Sequence, residues 1–360
     1  MPSLLFTSSP ESAALALSEL RDLTGNARLQ KWLAPGIGLA ESALDWDELV
    51  VALQTRPPIW TRHIHPVQAR GPINNNALDL LTLESLTQTA LLHLDTEHTF
   101  SVQTRLLGEG LQWQYSRFDI NERLAALIAS WGAPLDVRAP YQILSITLTP
   151  TEAYLGLSLA RHNLSDWAGG ERRFKREPEQ ISRAEFKLLE ALETFGIEPP
   201  FDFGRNAPSA QDKFPGGVVL DMGAAPGGWS RLMVEFGCQV VAVDPARLDP
   251  RLAATPQITY LGKTVQDYLP TRQRFDLILN DMRMDARDSA RLMVEAAAAL
   301  KPGGQALMTL KLPEERPAAT AEHALKILQT GFAEVRARQL FHNRSEITVA
   351  MRQTHLDNQG

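Results

Sequence analysis

The sequence predicts an α/β protein with a doubly wound, mostly parallel sheet in its C-terminal half and two smaller α+β units before it. Three observations carry this expectation. From residue 218 onward, apolar runs of strand length alternate with amphipathic stretches of helix length, the spacing that crossover connections require. Several of these runs end in a glycine turn or a charge, as in VVLDMG, LILND and MTLK, where an open parallel sheet places its functional crevice. At about 100–200 residues per domain, 360 residues also predict more than one core.

The first 70 residues alternate as strand, helix, strand, strand, helix, strand. SLLF (3–6) is the first strand, and 11–23 has helical spacing through Ala14, Leu17 and Leu20. RLQKWL and GIGLA flank Pro35-Gly36 as short strands, a helix follows over 46–53, and a last strand runs from 58 to 67. This order is the split pattern of a ferredoxin-like sandwich, assigned to residues 1–72. After a loop with Gly71-Pro72 and Asn74, Asn75 and Asn76, a second unit (73–165) opens with a helix over 78–94 and an alternating strand, FSVQTRLL, over 100–107. Asp119 is placed to N-cap a helix with Glu122 completing a capping box, and Ile120, Leu124, Leu127, Ile128 and Trp131 form its apolar face. Runs at 143–148 and 153–160 form a hairpin about Pro150. This second order resembles a THUMP domain, which implies RNA binding.

Residues 166–180 turn polar and charged and are assigned as a linker. Beyond them, over 181–360, strands are expected at 218–222, 240–244, 258–262, 275–281, 305–311, 335–340 and 346–351, and helices from 228, over 286–300 and over 321–328. No helix separates the last two strands, so the final one should run antiparallel. That is the seven-stranded, Rossmann-like methyltransferase pattern rather than that of dinucleotide dehydrogenases.

A net charge of −6 argues against non-specific coating of nucleic acid, which needs a dominant basic field. Basic residues do cluster locally: Arg56, Arg62, His63, His65 and Arg70 surround Trp60, and Arg172, Arg173, Lys175 and Arg176 lie together. A solvated loop is the plain reading of each, RNA contact the alternative. The single Cys238 excludes an intramolecular disulfide, and no apolar run reaches the roughly 18 residues of a membrane span. A cytoplasmic, monomeric protein without membrane or metal is expected.

The VVLDMGAAPGGW segment sets Gly223, Gly227 and Gly228 between a strand and a helix, a nucleotide-type turn that also contains Ala224, Ala225, Pro226 and Trp229. Asp221 precedes it. Asp244, ending the next strand, is placed to accept ribose hydroxyls. The turn departs from G-x-G-x-x-G, which favours S-adenosylmethionine over a dinucleotide. Asp267, after the third strand, stands where an acid can receive an adenine amino group, with a solvated loop acid the equal alternative. Asp281 and Lys311 each end an apolar strand, and neighbouring strands lie only about 4.8 Å apart, so the two charges should face one another beside the cofactor.

The segments SRAEFKLLEA, LDMGAAPGGWS, LILNDM, TLKLP and ARQLFHNRSEITV resemble those of the FtsJ-like ribose 2′-O-methyltransferases. With the two front units, the chain is most similar to those acting on a cytidine of large-subunit rRNA. The resemblance implies S-adenosylmethionine as cofactor, RNA as partner, and a Lys-Asp-Lys-Glu tetrad on Lys187, Asp281, Lys311 and Glu346. By pattern alone Lys187 reads as a solvated lysine, behind a capping box from Ser182 to Glu185, and Glu346 as an exposed strand residue. After Asp281 the chain runs MRMDA where shorter FtsJ-like enzymes carry a MAP-type turn, so the target-nucleotide pocket should differ. Other readings are methylation of tRNA or another RNA, a non-catalytic ribosome-assembly factor, and, more remotely, a nicotinamide dehydrogenase.

Methyl transfer to a ribose hydroxyl needs the oxygen aligned with an activated methyl and one proton removed. A free lysine has a pKa of about 10.4, so a lysine base requires a lowered value or a small deprotonated fraction. Lys311 is assigned as base or hydroxyl orienter, Asp281 as its positioning partner, and Lys187 and Glu346 as substrate-positioning residues.

Overall fold

β1 (Ser3–Thr7), the SLLFT run, is almost wholly buried inside a four-stranded sheet in a computed structural model that describes residues 2–198 and 217–353. α1 (Ala13–Thr24) buries Ala16, Leu17 and Leu20 and stops at Gly25, whose φ of 72° allows the left-handed C-terminal cap. β2 (Arg28–Ala34) and β3 (Ile37–Glu41) follow as a hairpin, then α2 (Trp46–Thr55), opened by a capping box between Asp45 and Glu48, and β4 (His63–Val67). The sheet order is β2-β3-β1-β4, all pairs antiparallel. The last strand starts at His63 rather than 58. The N–H groups of Ile59, Trp60 and Thr61 are spent on the Glu19 carboxylate instead of on a ladder.

A second sheet takes over at once. Gly71 and Pro72, expected in a loop, belong to β5 (Ala69–Pro72), an edge strand where the missing proline N–H costs no ladder bond. α3 (Asp79–Ala90), β6 (Phe100–Leu106), α4 (Arg117–Ala129), β7 (Gln142–Leu148) and β8 (Glu152–Leu159) complete it in the order β5-β8-β7-β6, with only β6 and β7 parallel. α4 corrects two expectations. Ser116 is its cap, accepting from the N–H groups of Phe118 and Asp119, while the Asp119 carboxylate reaches back to the Ser116 N–H. Asp119 is therefore the third helical residue, and the helix ends before Trp131, which is exposed. Ile120, Leu124 and Ile128 are buried in the core as expected.

The basic stretch around Trp60 is also altered by burial. His63 and His65 lie within β4, both fully buried, and Trp60 is buried too. Burial depresses the pKa of both rings, that of His65 to about 4, so neither supplies positive charge near neutral pH. Arg56 and Arg70 remain exposed.

The chain divides between Arg172 and Arg173, and the C-terminal unit is built on one seven-stranded sheet. Its elements are α5 (Ala184–Phe195), β9 (Val218–Met222), α6 (Gly228–Glu235), β10 (Gln239–Val243), β11 (Ile258–Leu261), α7 (Val265–Tyr268), β12 (Phe275–Asn280), α8 (Ala286–Ala297), β13 (Leu300–Lys311), α9 (Pro317–Leu328), β14 (Glu334–Arg338) and β15 (Glu346–Arg352). Strand order is β11-β10-β9-β12-β13-β15-β14. β11 through β13 pair in parallel, and β15 lies antiparallel to both its neighbours, as its missing crossover helix predicts. Val219, Ala242, Leu279 and Leu307 meet Leu188 and Leu192 of α5 and Met233 of α6 in one core, whose burial on both sheet faces accounts for the continuous apolar runs. The order reverses between β9 and β12. Their carboxyl ends form the topological switch point where ligands of such sheets bind.

Candidate active site

β9 delivers Asp221 and Met222 to the turn, and β10 delivers Asp244 beside it. Gly223 has φ of +73°, and a Cβ there would fall 2.1 Å from Met282 Cγ, so a glycine is needed on both counts. The Gly223 and Ala224 N–H groups donate to the Val243 carbonyl, and the Ala225 N–H donates to Asp244 at 3.0 Å. The other Asp244 oxygen accepts from the Ala246 N–H at 2.7 Å. A carboxylate has about four lone-pair sites, so this one is rigidly aimed yet retains acceptor capacity. It faces a cavity of about 530 Å³ that Gly223, Ala225, Gln266 and Asp281 also line.

The remaining residues anticipated for this site stand behind it or beside it. Asp221 is buried under the turn and accepts from the Ser230 hydroxyl at 2.6 Å. Burial, followed by the nearby Asp281 and Asp244 charges, raises its pKa to about 7. Trp229 is buried, its indole N–H donating to the Ala184 carbonyl at 2.7 Å, and Ala224 belongs to the core. Pro226 follows a cis peptide bond and Gly227 caps α6. Gly228 makes room for α5 rather than for a ligand, because a Cβ would sit 2.7 Å from Ser182 Oγ. Asp267 is exposed and turned toward the Thr264 hydroxyl at 2.6 Å; Thr264 and Gln266, not Asp267, reach the cavity wall.

The start of α5 differs from the expected capping box. Glu185 does reach back to the Ser182 N–H, at 3.2 Å, and also to that of Ile181 at 2.7 Å, but the Ser182 hydroxyl makes no capping bond. The second Glu185 oxygen takes the Arg231 guanidinium at 2.5 Å in a buried ion pair that ties α5 to α6. This orients the first turn of α5, which also carries Lys187.

Lys187, Asp281, Lys311 and Glu346 converge. Lys311 and Glu346 are cross-strand partners in the β13–β15 ladder, and Asp281 follows the end of β12 on the other side of β13. Lys311 pairs with Asp281, and Lys187 pairs with Glu346 while lying 3.8 Å from Asp281. Side-chain exposure is 19% for Lys187, 20% for Asp281, 22% for Lys311 and 8% for Glu346, so none of the four is a freely solvated charge. Thr309, which the sequence reading passed over, joins them. Its buried hydroxyl donates to Asp281 and accepts from Lys311 at 2.6 Å. The signal was present, since residues 309 and 311 of one strand share a face.

Lys187, Lys311 and Glu346 line a second cavity, of about 780 Å³. Arg283 and Met284 line both cavities and so form a common wall between them, Asp281 opening to one side and Lys311 to the other. This wall is the MRMDA segment that departs from the MAP-type turn. Chemically, the arrangement offers a carboxylate-held lysine to a reactant in the larger cavity, next to a ligand in the smaller. Among the described residues, no group of His, Cys, Asp and Glu could hold a metal ion, and no helix is long and apolar enough to cross a membrane.

The FtsJ-like methyltransferase family model matches residues 180–335. The ribosomal RNA large subunit methyltransferase M of Halorhodospira halophila is 34% identical over 186 residues, 52% of this chain and 51% of that protein. Its namesake in Psychromonas ingrahamii is 32% identical over 209 residues, 56% and 54% of the two chains. The chain thus spans about half the length of the curated relatives it matches. Among solved structures, TrmN from Thermus thermophilus aligns over 98% of this chain and 100% of its own at 18% identity, with a TM-score of 0.39.

Proposed function

Starting from an FtsJ-like methyltransferase domain over residues 180–335, we propose that this chain is an S-adenosylmethionine-dependent RNA ribose 2′-O-methyltransferase acting on a cytidine of large-subunit rRNA. One observation carries the reading: two cavities meet at a shared wall, with the Asp281–Lys311 pair spanning the junction. The names of the curated relatives support rRNA as the substrate.

The donor set of the smaller cavity fits the cofactor. Asp244 has acceptor capacity for ribose hydroxyls, while the N–H groups of residues 223–225 are already committed inside the protein, which disfavours a pyrophosphate. Gly223, Ala225, Asp244 and Gln266 would hold S-adenosylmethionine, which supplies a methyl already activated on a sulfonium. Lys311 orients the ribose hydroxyl and, in its neutral form, takes the proton that the oxygen loses as it attacks the methyl; Asp281 and Thr309 hold the amine in place. Lys187 and Glu346, paired to each other, steady the ribose side of the junction.

The N-terminal unit would supply RNA affinity, with residues 1–72 as a ferredoxin-like domain, 73–165 as a THUMP-like domain and 166–180 as a linker. The β2-β3-β1-β4 order supports the first of these. A cytoplasmic monomer is the working assignment. The test is to map 2′-O-methyl groups in total RNA from cells with and without the gene. A site lost in large-subunit rRNA is the expected result; a site lost in tRNA alone would redirect the substrate. Tight NADH binding without S-adenosylmethionine binding in isothermal titration would overturn the cofactor.

A further inference from the structure

The larger cavity is strongly basic in a chain whose net charge is −6. Arg183, Lys187, Arg283, Lys311 and Arg344 line it against a single carboxylate, Glu346. The two lysines are consumed by Asp281 and Glu346. The three arginines are not: each is exposed, and among the described residues none of their guanidinium groups has an ion-pair or hydrogen-bond partner. Some exposed arginines of this unit, Arg251, Arg287 and Arg291, each bind a nearby aspartate; what sets Arg183, Arg283 and Arg344 apart is that they stand open around one cavity. The three unpaired ones come from three separate places in the fold: the start of α5, the segment after β12 and the segment before β15. Between them the cavity wall carries the rings of Phe186 and Phe341.

We propose that Arg183, Arg283 and Arg344 form a phosphate clamp that seats one extruded nucleotide of single-stranded RNA in this cavity, its base against Phe186 and Phe341 and its ribose at Lys311. Guanidinium groups match phosphate oxygens bidentately, and three of them around one opening fit the phosphates on either side of a nucleotide. Aromatic faces accept any base, as stacking platforms do. A duplex cannot present a ribose hydroxyl this way without taking the nucleotide out of the stack. The proposal rests on the ribose-methyltransferase reading for the position of the ribose, whereas the clamp itself is a matter of binding.

The test uses the full chain and a short single-stranded oligoribonucleotide, with the same strand in a duplex as comparison. Binding is followed by anisotropy across a salt series, and 2-aminopurine within the strand reports stacking in the cavity apart from contacts elsewhere on the protein. Each of Arg183→Ala, Arg283→Ala and Arg344→Ala should reduce the slope of log K against log salt by about 0.7, the single-strand value per phosphate contact. Each should also weaken binding on the order of tenfold, as loss of a charge-assisted hydrogen bond predicts, with an unchanged melting temperature. Lysine at the same positions should restore the slope but not the full affinity. Phe186→Leu, which keeps apolar volume against Phe174, should abolish 2-aminopurine quenching and leave the slope unchanged. Unchanged slopes in all three arginine variants, or duplex binding as tight as single-strand binding, would overturn the clamp. If those results came with intact methyl transfer, the proposed activity would stand without the clamp; altered slopes in a protein that transfers no methyl group would sink the activity and keep the clamp.

Discussion

In the N-terminal unit two buried titratable side chains, His63 and His65, lie within β4, sealed off from water and held neutral, whereas in the C-terminal unit charged side chains gather at the sheet edge where β12 and β13 end and antiparallel β15 begins. Lys311, Asp281 and Glu346 border cavities, keep partners of opposite sign and retain some exposure. The difference lies in position along the strand. A group within a strand exchanges water for apolar neighbours and loses its charged form; a group at the carboxyl end of a parallel strand can be paired, oriented and still reached by a ligand. Substitutions in the first set should change stability, and those in the second should change chemistry.

The largest effect is expected at Lys311. Lys311→Ala should lower kcat by about 10²- to 10⁴-fold, the range for acid–base groups, with cofactor affinity and melting temperature nearly unchanged. Lys311→Arg should not restore it, because a guanidinium stays protonated and has the wrong shape. A structural ion pair would reverse this pattern: lower melting temperature, turnover preserved, and rescue by arginine. Next comes Asp244→Ala, which should weaken S-adenosylmethionine binding by roughly tenfold or more in isothermal titration, as a charge-assisted acceptor is removed. Thr309→Val should cost about tenfold in kcat by taking out the hydroxyl between Asp281 and Lys311, and Thr309→Ser should keep most of the rate.

The comparison can be sharpened by pH. His63 and His65 are depressed when folded, so the unfolded chain binds their protons first. Stability from the N-terminal unit should therefore rise with pH from about 4, the folded value of His65, to 6.5. Asp221 is raised from 3.8 to about 7, so the folded state binds its proton first, and stability from the C-terminal unit should fall with pH across that window. The melting temperature of Asp221→Asn minus that of wild type should accordingly grow from pH 4 to pH 7 and then level off. A difference independent of pH would mean that Asp221 ionises as a free carboxyl does. The smallest effect is assigned to Ser116→Ala, which removes the α4 cap and should cost about 1 kcal/mol of stability without touching methyl transfer.

How far the sequence could be read follows the same division. The strands of the C-terminal sheet were legible because burial on both faces forces continuous apolar runs, and Asp281 and Lys311 stood out as charges at their ends. Lys187 and Glu346 were not legible by pattern, since a lysine on a helix and an acid opening a strand look solvated until the fold brings them together; family resemblance singled them out. Thr309 drew no attention because threonine is an ordinary strand residue, although its place two residues before Lys311 sets it on the same face. Arg183, Arg283 and Arg344 were hidden because they are far apart in sequence and share only a cavity. In the N-terminal unit, Ser116 lost to Asp119 as the expected cap because both fit the same motif three residues apart. Gly71-Pro72 looked like a turn because a sequence does not say which strand will be an edge.

The placement of β15 between β13 and β14 has a consequence for the order in which the molecule is made. Every residue lining the smaller cavity precedes residue 285, whereas Glu346 belongs to the last described strand. Ribosomes release chains N-terminus first, so the cofactor half of the sheet exists while β13 still lacks its neighbour and presents an open edge. Neither β14 nor Glu346 can take its place until residues 346–352 have emerged. A chain truncated before residue 346 should therefore be inactive and leave β13 with an open edge, whereas the chain that includes residues 346–352 closes the sheet and brings Glu346 to Lys187.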